Sequence, residues 1–249
     1  MNMKGKSVLV TGGASGIGRA IVLAFAERGA NVALTYITTD PEETLAEARR
    51  FGGKHVAFRA DLRKEAEVEK VFAEAIAALG DLDVMVANTG GLVQRCRVVD
   101  MPLSLWEEVM AVNLTSTFLC CRAALRYMEP RKKGNVILIS SLAGHNGGGP
   151  NATHYGASKG AMITYTRGLA KEVGPLGIRV NGIAPGLIAT RFHDKFNTPE
   201  GRAAAVGMTP LRREGTAEDV AGAAVFLASD DASFLAGETI EVNGGLGLY

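Results

Sequence analysis

Short β-branched runs alternate with longer helical patterns along the whole 249-residue chain. Few folds accept that alternation. Strand, crossover helix and strand build a parallel sheet with helices on both faces, and the crossovers are right-handed. Strands are expected at residues 7–11, 31–36, 54–60, 82–87, 135–140, 178–183 and 239–242. The run 82–87 is almost wholly apolar, as a strand covered on both faces should be. Helices are expected at 17–28, 41–51, 64–79, 105–127, 154–173 and 217–227. Gly29 and Gly80 act as stop signals, and Pro41 stands in a first turn. No repeat, linker or low-complexity segment intervenes. The expectation is therefore one domain over residues 1–249, a doubly wound parallel α/β sheet of seven strands. The one long irregular connection, 187–215, is expected to be a substrate lid or binding loop.

Composition removes several classes of function. A net charge of +1 provides no field for nucleic acid or an anionic membrane. With 47% hydrophobic residues and a mean hydropathy of +0.12, the chain has material for a large core. No stretch approaches the ~20 apolar residues of a membrane span, and Val8-Leu9-Val10 is too short for a signal peptide. The three cysteines, Cys96, Cys120 and Cys121, are odd in number and lack metal-ligand spacing. Reduced thiols in a cytoplasmic protein are expected, with no metal.

The first strand runs into Thr11-Gly12-Gly13-Ala14-Ser15-Gly16-Ile17-Gly18. Glycines there allow a tight turn and let backbone N–H groups approach a pyrophosphate, and the helix N-terminus adds partial positive charge. The spacing is Gly-x-x-x-Gly-x-Gly rather than the general Gly-x-Gly-x-x-Gly. The second strand ends at Tyr36, without the carboxylate that would hold an adenosine 2′-hydroxyl and repel a 2′-phosphate. Thr35, Thr38 and Thr39 can bond a phosphate, although no arginine or lysine stands among them. The balance favours NADP(H) over NAD(H).

Tyr155-Gly-Ala-Ser-Lys159 carries the second signal. On a helix, residues four apart lie about 6 Å from each other at Cβ. A neighbouring ammonium favours a phenolate and lowers the phenol pKa from roughly 10. Such a tyrosine can exchange a proton with an alcohol or carbonyl near neutral pH.

With Thr11-Gly12-x-x-x-Gly16-Ile17-Gly18, Asn88-Thr89-Gly90, Asn113, Ser140-Ser141 and Tyr155-x-x-x-Lys159 in that order, the chain resembles the short-chain dehydrogenase/reductase family. More narrowly it is similar to the bacterial 3-oxoacyl-carrier-protein reductase and sugar or secondary-alcohol dehydrogenase branch. Arg179-Val180-Asn181, Pro185-Gly186, Phe226-Leu227-Ala228-Ser229 and Val242-Asn243-Gly244-Gly245 agree, so the resemblance covers nearly the whole chain. It implies a Rossmann-type fold and hydride transfer between nicotinamide and a small-molecule carbonyl or secondary alcohol. Tyr155 would be the acid–base group, Ser141 a partner of the substrate oxygen, Lys159 a holder of the ribose and Asn113 the support of a proton relay. Gly12, Ser15, Gly16, Ile17, Gly18 and Tyr36 would hold the adenosine and pyrophosphate. Asp61 and Leu62 would flank the adenine, and Asn88 and Gly90 would close over the cofactor. Pro185, Gly186, Ile188 and Thr190 would hold the nicotinamide carboxamide, with Tyr155 and Lys159 also touching the cofactor.

The resemblance further implies a homotetramer pairing helices 105–127 and 154–173 and burying the apolar end Leu246-Gly247-Leu248-Tyr249. Two other functions stay open. A 3-oxoacyl-(acyl-carrier-protein) reductase shares the chemistry, but Leu176 stands where carrier docking calls for a basic residue, with Arg131–Lys133 as the compensating candidates. A dinucleotide-binding redox sensor would have no need of the serine, tyrosine, lysine and asparagine. His145, His154, Phe192 and His193 surround the expected substrate end without an assigned role.

Overall fold

The computed structural model describes residues 1–249. Seven strands form one parallel sheet in the order β3-β2-β1-β4-β5-β6-β7. They are β1 (Ser7–Val10), β2 (Asn31–Tyr36), β3 (His55–Arg59), β4 (Val84–Ala87), β5 (Gly134–Ile139), β6 (Ile178–Pro185) and β7 (Thr239–Val242). The order reverses between β1 and β4. Ligands of doubly wound sheets bind at such a switch point, beyond the carboxyl ends of the strands.

Ten helices join the strands: α1 (Gly16–Glu27), α2 (Glu42–Arg49), α3 (Glu65–Leu79), α4 (Leu103–Met110), α5 (Ser116–Met128), α6 (Ala143–Asn146), α7 (Thr153–Val173), α8 (Arg191–Phe196), α9 (Pro199–Met208) and α10 (Ala217–Ala228). The alternation of side chains along each central strand explains the apolar runs. Val8 and Val10 of β1, Val84 and Val86 of β4, and Ile137 and Ile139 of β5 face the core under α1 and α10. Leu9, Met85, Ala87, Val136 and Leu138 face the opposite core under α3, α5 and α7. Residues of both sets are buried, so neither face of these strands meets water.

The structure departs from the sequence expectation in three places. β4 is bounded at Val84 rather than at 82, although the Asp83 backbone already bonds both neighbouring strands, donating to the Ser7 carbonyl at 2.8 Å and accepting from the Asn135 N–H at 3.0 Å. The Asp83 carboxylate accepts from the Ser7 N–H at 2.9 Å and pairs with Lys133 at 2.5 Å. The single helix expected at 105–127 is α4, a π-helical turn at Ala111–Thr115, and α5. In that turn Asn113 Nδ2 donates to the Val109 carbonyl, and Ser116 and Thr117 hydroxyls donate to the carbonyls of Val112 and Asn113. The extra residue turns Asn113 inward, the usual setting of a π-bulge near a functional site. Finally, 187–215 is not irregular throughout: it contains α8 and α9. Neither helix buries a single side chain fully, so no apolar periodicity marks them in the sequence.

Candidate active site

A cavity of about 610 Å³ opens at the β1–β4 switch point. The glycine turn forms one end. Gly12 and Gly16 have φ of +63° and +52°, a region that disfavours other residues. A Cβ on Gly18 would lie 2.2 Å from the Gly12 carbonyl oxygen and 2.5 Å from Asn88 Nδ2. Asn88 ties the turn to β4 by donating to the carbonyls of Thr11 and Gly12. No acidic side chain stands in the first turn of α1, and Ser15 makes no capping bond, so the N-terminal N–H groups of that helix remain available. Gly12, Ser15, Gly16, Ile17, Gly18 and Asn88 all line the cavity.

At the end of β2, Tyr36, Ile37, Thr38 and Thr39 line the wall, with Leu62 across from them. Asp61 does not line it; its carboxylate is held by Arg63 in two bonds of 2.8 Å, which also keeps that carboxyl below the usual range. Thr35 is buried and accepts the Gly12 N–H at 3.1 Å, so its oxygen serves the turn itself. A cation does stand close by. Arg59, opposite Tyr36 in the β2–β3 register, donates to the Ile37 carbonyl at 3.1 Å. It is missed by reading along β2 alone, because it arrives from the neighbouring strand.

The far end holds Ser141, Tyr155 and Lys159 in one wall with Gly90, Pro185, Gly186 and Ile188, while Thr190 reaches back toward the glycine turn, its side chain 3.7 Å from where a Cβ of Gly16 would be. Tyr155 and Lys159 lie on successive turns of α7, and Lys159 Nζ is 5.9 Å from the phenol ring centre. Nζ donates to the Ile139 carbonyl at 2.8 Å and touches Met162 Sδ at 3.5 Å. With no carboxylate partner, burial lowers its pKa to about 7. The expected lowering of the tyrosine by this ammonium is absent here. Burial raises the Tyr155 pKa, and the nearby Ser141 hydroxyl pulls it down. The buried lysine at that distance contributes nothing comparable. Ser141 Oγ also accepts the Ala143 N–H at 3.1 Å.

Asn113 is fully buried and stands one layer behind the wall. Its amide exchanges two bonds with the Gly91 backbone, at 2.8 and 2.9 Å. A Cβ on Gly90 would lie 2.6 Å from Asn113 Oδ1 and 3.0 Å from Lys159 Nζ, so the three residues meet at one point. Phe192 and His193 line the cavity; His145 and His154 do not. His154 is buried with Nε2 2.9 Å from the Gln94 carbonyl. His145 lies 2.8 Å from Glu241 and stacks on Tyr249 at 4.5 Å. The C-terminal tail thus rests partly on its own chain, with Leu246 in the cavity wall. Arg95 and Leu246 are wall residues that no local motif announces.

The family model described as enoyl-(acyl carrier protein) reductase matches residues 12–247. The chain belongs to the short-chain dehydrogenase/reductase family. A glucose 1-dehydrogenase of Gluconobacter oxydans is 41% identical over 98% of this chain and 93% of its own. A 3-oxoacyl-(acyl-carrier-protein) reductase of Escherichia coli is 35% identical over 99% of each. A structure of 7α-hydroxysteroid dehydrogenase with NADH and 7-oxo glycochenodeoxycholic acid superposes with a TM-score of 0.94 at 35% identity, over 98% of this chain and 95% of that one. Like its short-chain dehydrogenase/reductase relatives, the chain is an NAD(P)-dependent oxidoreductase acting between nicotinamide and a carbonyl or secondary alcohol. No helix is long and apolar enough to cross a membrane.

Proposed function

We propose that the protein reduces, or in reverse forms, a small-molecule carbonyl, with Tyr155 as the acid–base group. The observation that carries this reading is the convergence of the Ser141 and Tyr155 hydroxyls on a cavity whose opposite end is a glycine turn. The glycine cradle and the free α1 N–H groups fit a pyrophosphate; the buried Lys159, with no carboxylate partner, fits a ribose. The nicotinamide supplies the hydride. Ser141 and Tyr155 both donate to the oxygen on which negative charge develops, and Tyr155 passes its proton to it. Asn113, Gly90 and Lys159 hold the wall behind them. A screen of carbonyls and alcohols following reduced-cofactor absorbance tests the reading; no turnover across aldoses, ketones and 3-oxoacyl thioesters would defeat it.

The carrier-protein alternative is the weaker one. Leu176 packs toward the core. Arg131 pairs with Asp81 at 2.8 Å and lies over Tyr127, while Lys133 pairs with Asp83, so local carboxylates neutralise two cations of the candidate docking patch.

The cofactor preference we propose is NADP(H), from the absent carboxylate beside Tyr36 and from Arg59 next to Ile37. Introducing Tyr36→Asp is expected to move the kcat/KM ratio for NADPH over NADH down by about tenfold or more, since a carboxylate bonds the free hydroxyl and repels phosphate. A wild-type enzyme clearly favouring NADH would show the assignment to be wrong.

Residues 187–215 are proposed as a mobile lid. The absence of fully buried side chains in α8 and α9 supports this, because local stability follows buried contacts. Hydrogen exchange in α8 and α9 should slow when cofactor and substrate bind. Strong and equal protection in both states would mean a fixed wall.

Assembly into a homotetramer is proposed from exposed apolar side chains on and around α4 and α5. Leu103 is 69% exposed, and Trp106 and Phe118 are exposed as well, whereas Val109 and Leu119 are used by the chain's own core. Leu248 and Tyr249 of the C-terminal tail are exposed as well. Light scattering at micromolar concentration should give four times the chain mass; a single-chain mass would refute it.

A further inference from the structure

Arg95 is a cation in the cavity wall that the hydride-transfer chemistry does not use. Its backbone is held on both sides. The Gln94 carbonyl lies 2.9 Å from His154 Nε2, and the Cys96 N–H donates to the Asn151 carbonyl at 2.9 Å. Two residues before it, Val93 has φ of +63°, a conformation a β-branched residue adopts only when its surroundings enforce it. The guanidinium therefore projects from a fixed support.

Its bonds locate it. Nε donates to the Phe196 carbonyl at 3.0 Å, one terminal nitrogen to the Pro150 carbonyl at 2.5 Å, and the other to Asn197 Oδ1 at 3.2 Å. The Phe196 ring packs on Phe192 at 5.0 Å, and Phe192 packs on Tyr155 at 5.9 Å. Arg95 thus belongs to the tyrosine end. The other unpaired wall arginine, Arg191, follows Thr190, whose side chain lies 3.7 Å from where a Cβ of Gly16 would be, at the glycine-turn end.

All three partners of Arg95 are uncharged oxygens. A guanidinium has five donors. Three are used, which leaves one on each terminal nitrogen. No aspartate or glutamate lines the cavity, so its positive charge is not cancelled within the wall. We propose that Arg95 selects substrates carrying a carboxylate, binding its two oxygens with the two remaining donors while the carbonyl sits at Ser141 and Tyr155. Two N–H groups matched to two oxygens form the planar pairing for which arginine is suited. The lid acceptors Phe196 and Asn197 fix the same guanidinium, so lid closure and carboxylate recognition share one group.

This inference rests on the carbonyl-reductase reading, and the test separates the two. Protein saturated with oxidised NADP can bind a keto acid without reducing it. Isothermal titration with 3-oxobutanoate, 4-oxopentanoate and 5-oxohexanoate, each beside its methyl ester, reads the contribution of the carboxylate. At least one acid should bind about tenfold or more tightly than its ester, the scale of one charge-assisted pair. Arg95→Gln should bring that ratio to about one. Arg95→Lys, which keeps the charge without the fork and guards against a folding defect in the glutamine variant, should leave it between the two. A strut that only joined loops would leave the acid-to-ester ratio unmoved. Ratios near one for all three pairs, no binding of any acid, or equal weakening of acid and ester in Arg95→Gln would overturn the proposal. Turnover of an ester with reduced cofactor, lost in Tyr155→Phe, would keep the reductase reading even then. Arg95-dependent binding of acids with no turnover of any carbonyl would defeat the reductase reading and leave the anion site.

Discussion

Tyr155→Phe is expected to lower turnover by roughly two to four orders of magnitude, the range removed with a general acid. The substitution takes away one hydroxyl and keeps the ring. That ring packs on Phe192 at 5.9 Å and faces Lys159 at a similar distance, and both contacts survive in phenylalanine. The glycine turn at the other end of the cavity is untouched. Cofactor affinity, read by fluorescence of the reduced nucleotide, should therefore stay within a few-fold of wild type. Loss of the rate with affinity preserved is the signature of an interaction made in the transition state. Near-normal turnover would remove Tyr155 from its role. The apo geometry adds a further expectation. Burial holds the phenol above its ordinary pKa here, so the lowering that catalysis at neutral pH requires has to come with bound cofactor and a recharged Lys159. A basic limb seen in kcat but displaced upward in cofactor-free titration of the phenol would fit this.

Much of that geometry was legible from residues alone, and most of what was not has one cause. The strands were legible because burial on both faces forces unbroken apolar runs, as in Val84–Ala87. The glycine turn and the Tyr155–Lys159 pair were legible because each is local: a turn, or one helix face. What escaped depends on contacts between segments distant in sequence. Arg59 reaches the end of β2 only through strand register. Arg95 reaches the tyrosine end through carbonyls at Pro150 and Phe196. The π-turn around Asn113 arises where its side chain finds Gly91, 22 residues earlier, and no helical period encodes that. The lid helices α8 and α9 lack a buried face, so the only sign of the second is Thr198, whose hydroxyl caps it, followed by Pro199. The lysine–tyrosine relation failed for a different reason. Spacing fixes proximity along a helix, whereas a pKa depends on which neighbours desolvate the group, and here Lys159 is buried and Tyr155 partly buried in the cavity wall.

The same lysine should make the protein less stable than a variant without it. Burial lowers Lys159 from an ordinary 10.5 to about 7. At about 1.4 kcal/mol per pKa unit, that corresponds to roughly 4–5 kcal/mol of penalty on the charged form. Lys159→Met fills similar volume without the charge. It leaves the Ile139 carbonyl without its donor, which costs about 1–2 kcal/mol. The net expectation is a gain of about 2–4 kcal/mol, or a Tm higher by roughly 4–16 °C for a chain of this size, measured without cofactor at pH 6. The sign of the pH dependence follows from the lowered pKa. Below 7 the lysine is protonated folded and unfolded, and the folded state carries the whole penalty. Between about 7 and 10.5 the folded lysine has lost its proton while the unfolded one keeps it, so the unfolded state binds more protons and wild-type stability rises with pH. Methionine has no such titration. The advantage of Lys159→Met should be widest at pH 6 and smaller by roughly 3 kcal/mol at pH 9. Melts of both proteins at the two pH values decide it: an advantage that does not shrink as pH rises would mean that Lys159 is not desolvated as the structure has it. The variant should also lose turnover, since the ammonium that burial destabilises is the group left without a carboxylate in the ribose end of the site. A side chain that weakens the fold and sits in the cavity wall is what a stability–activity trade-off looks like at the level of one residue.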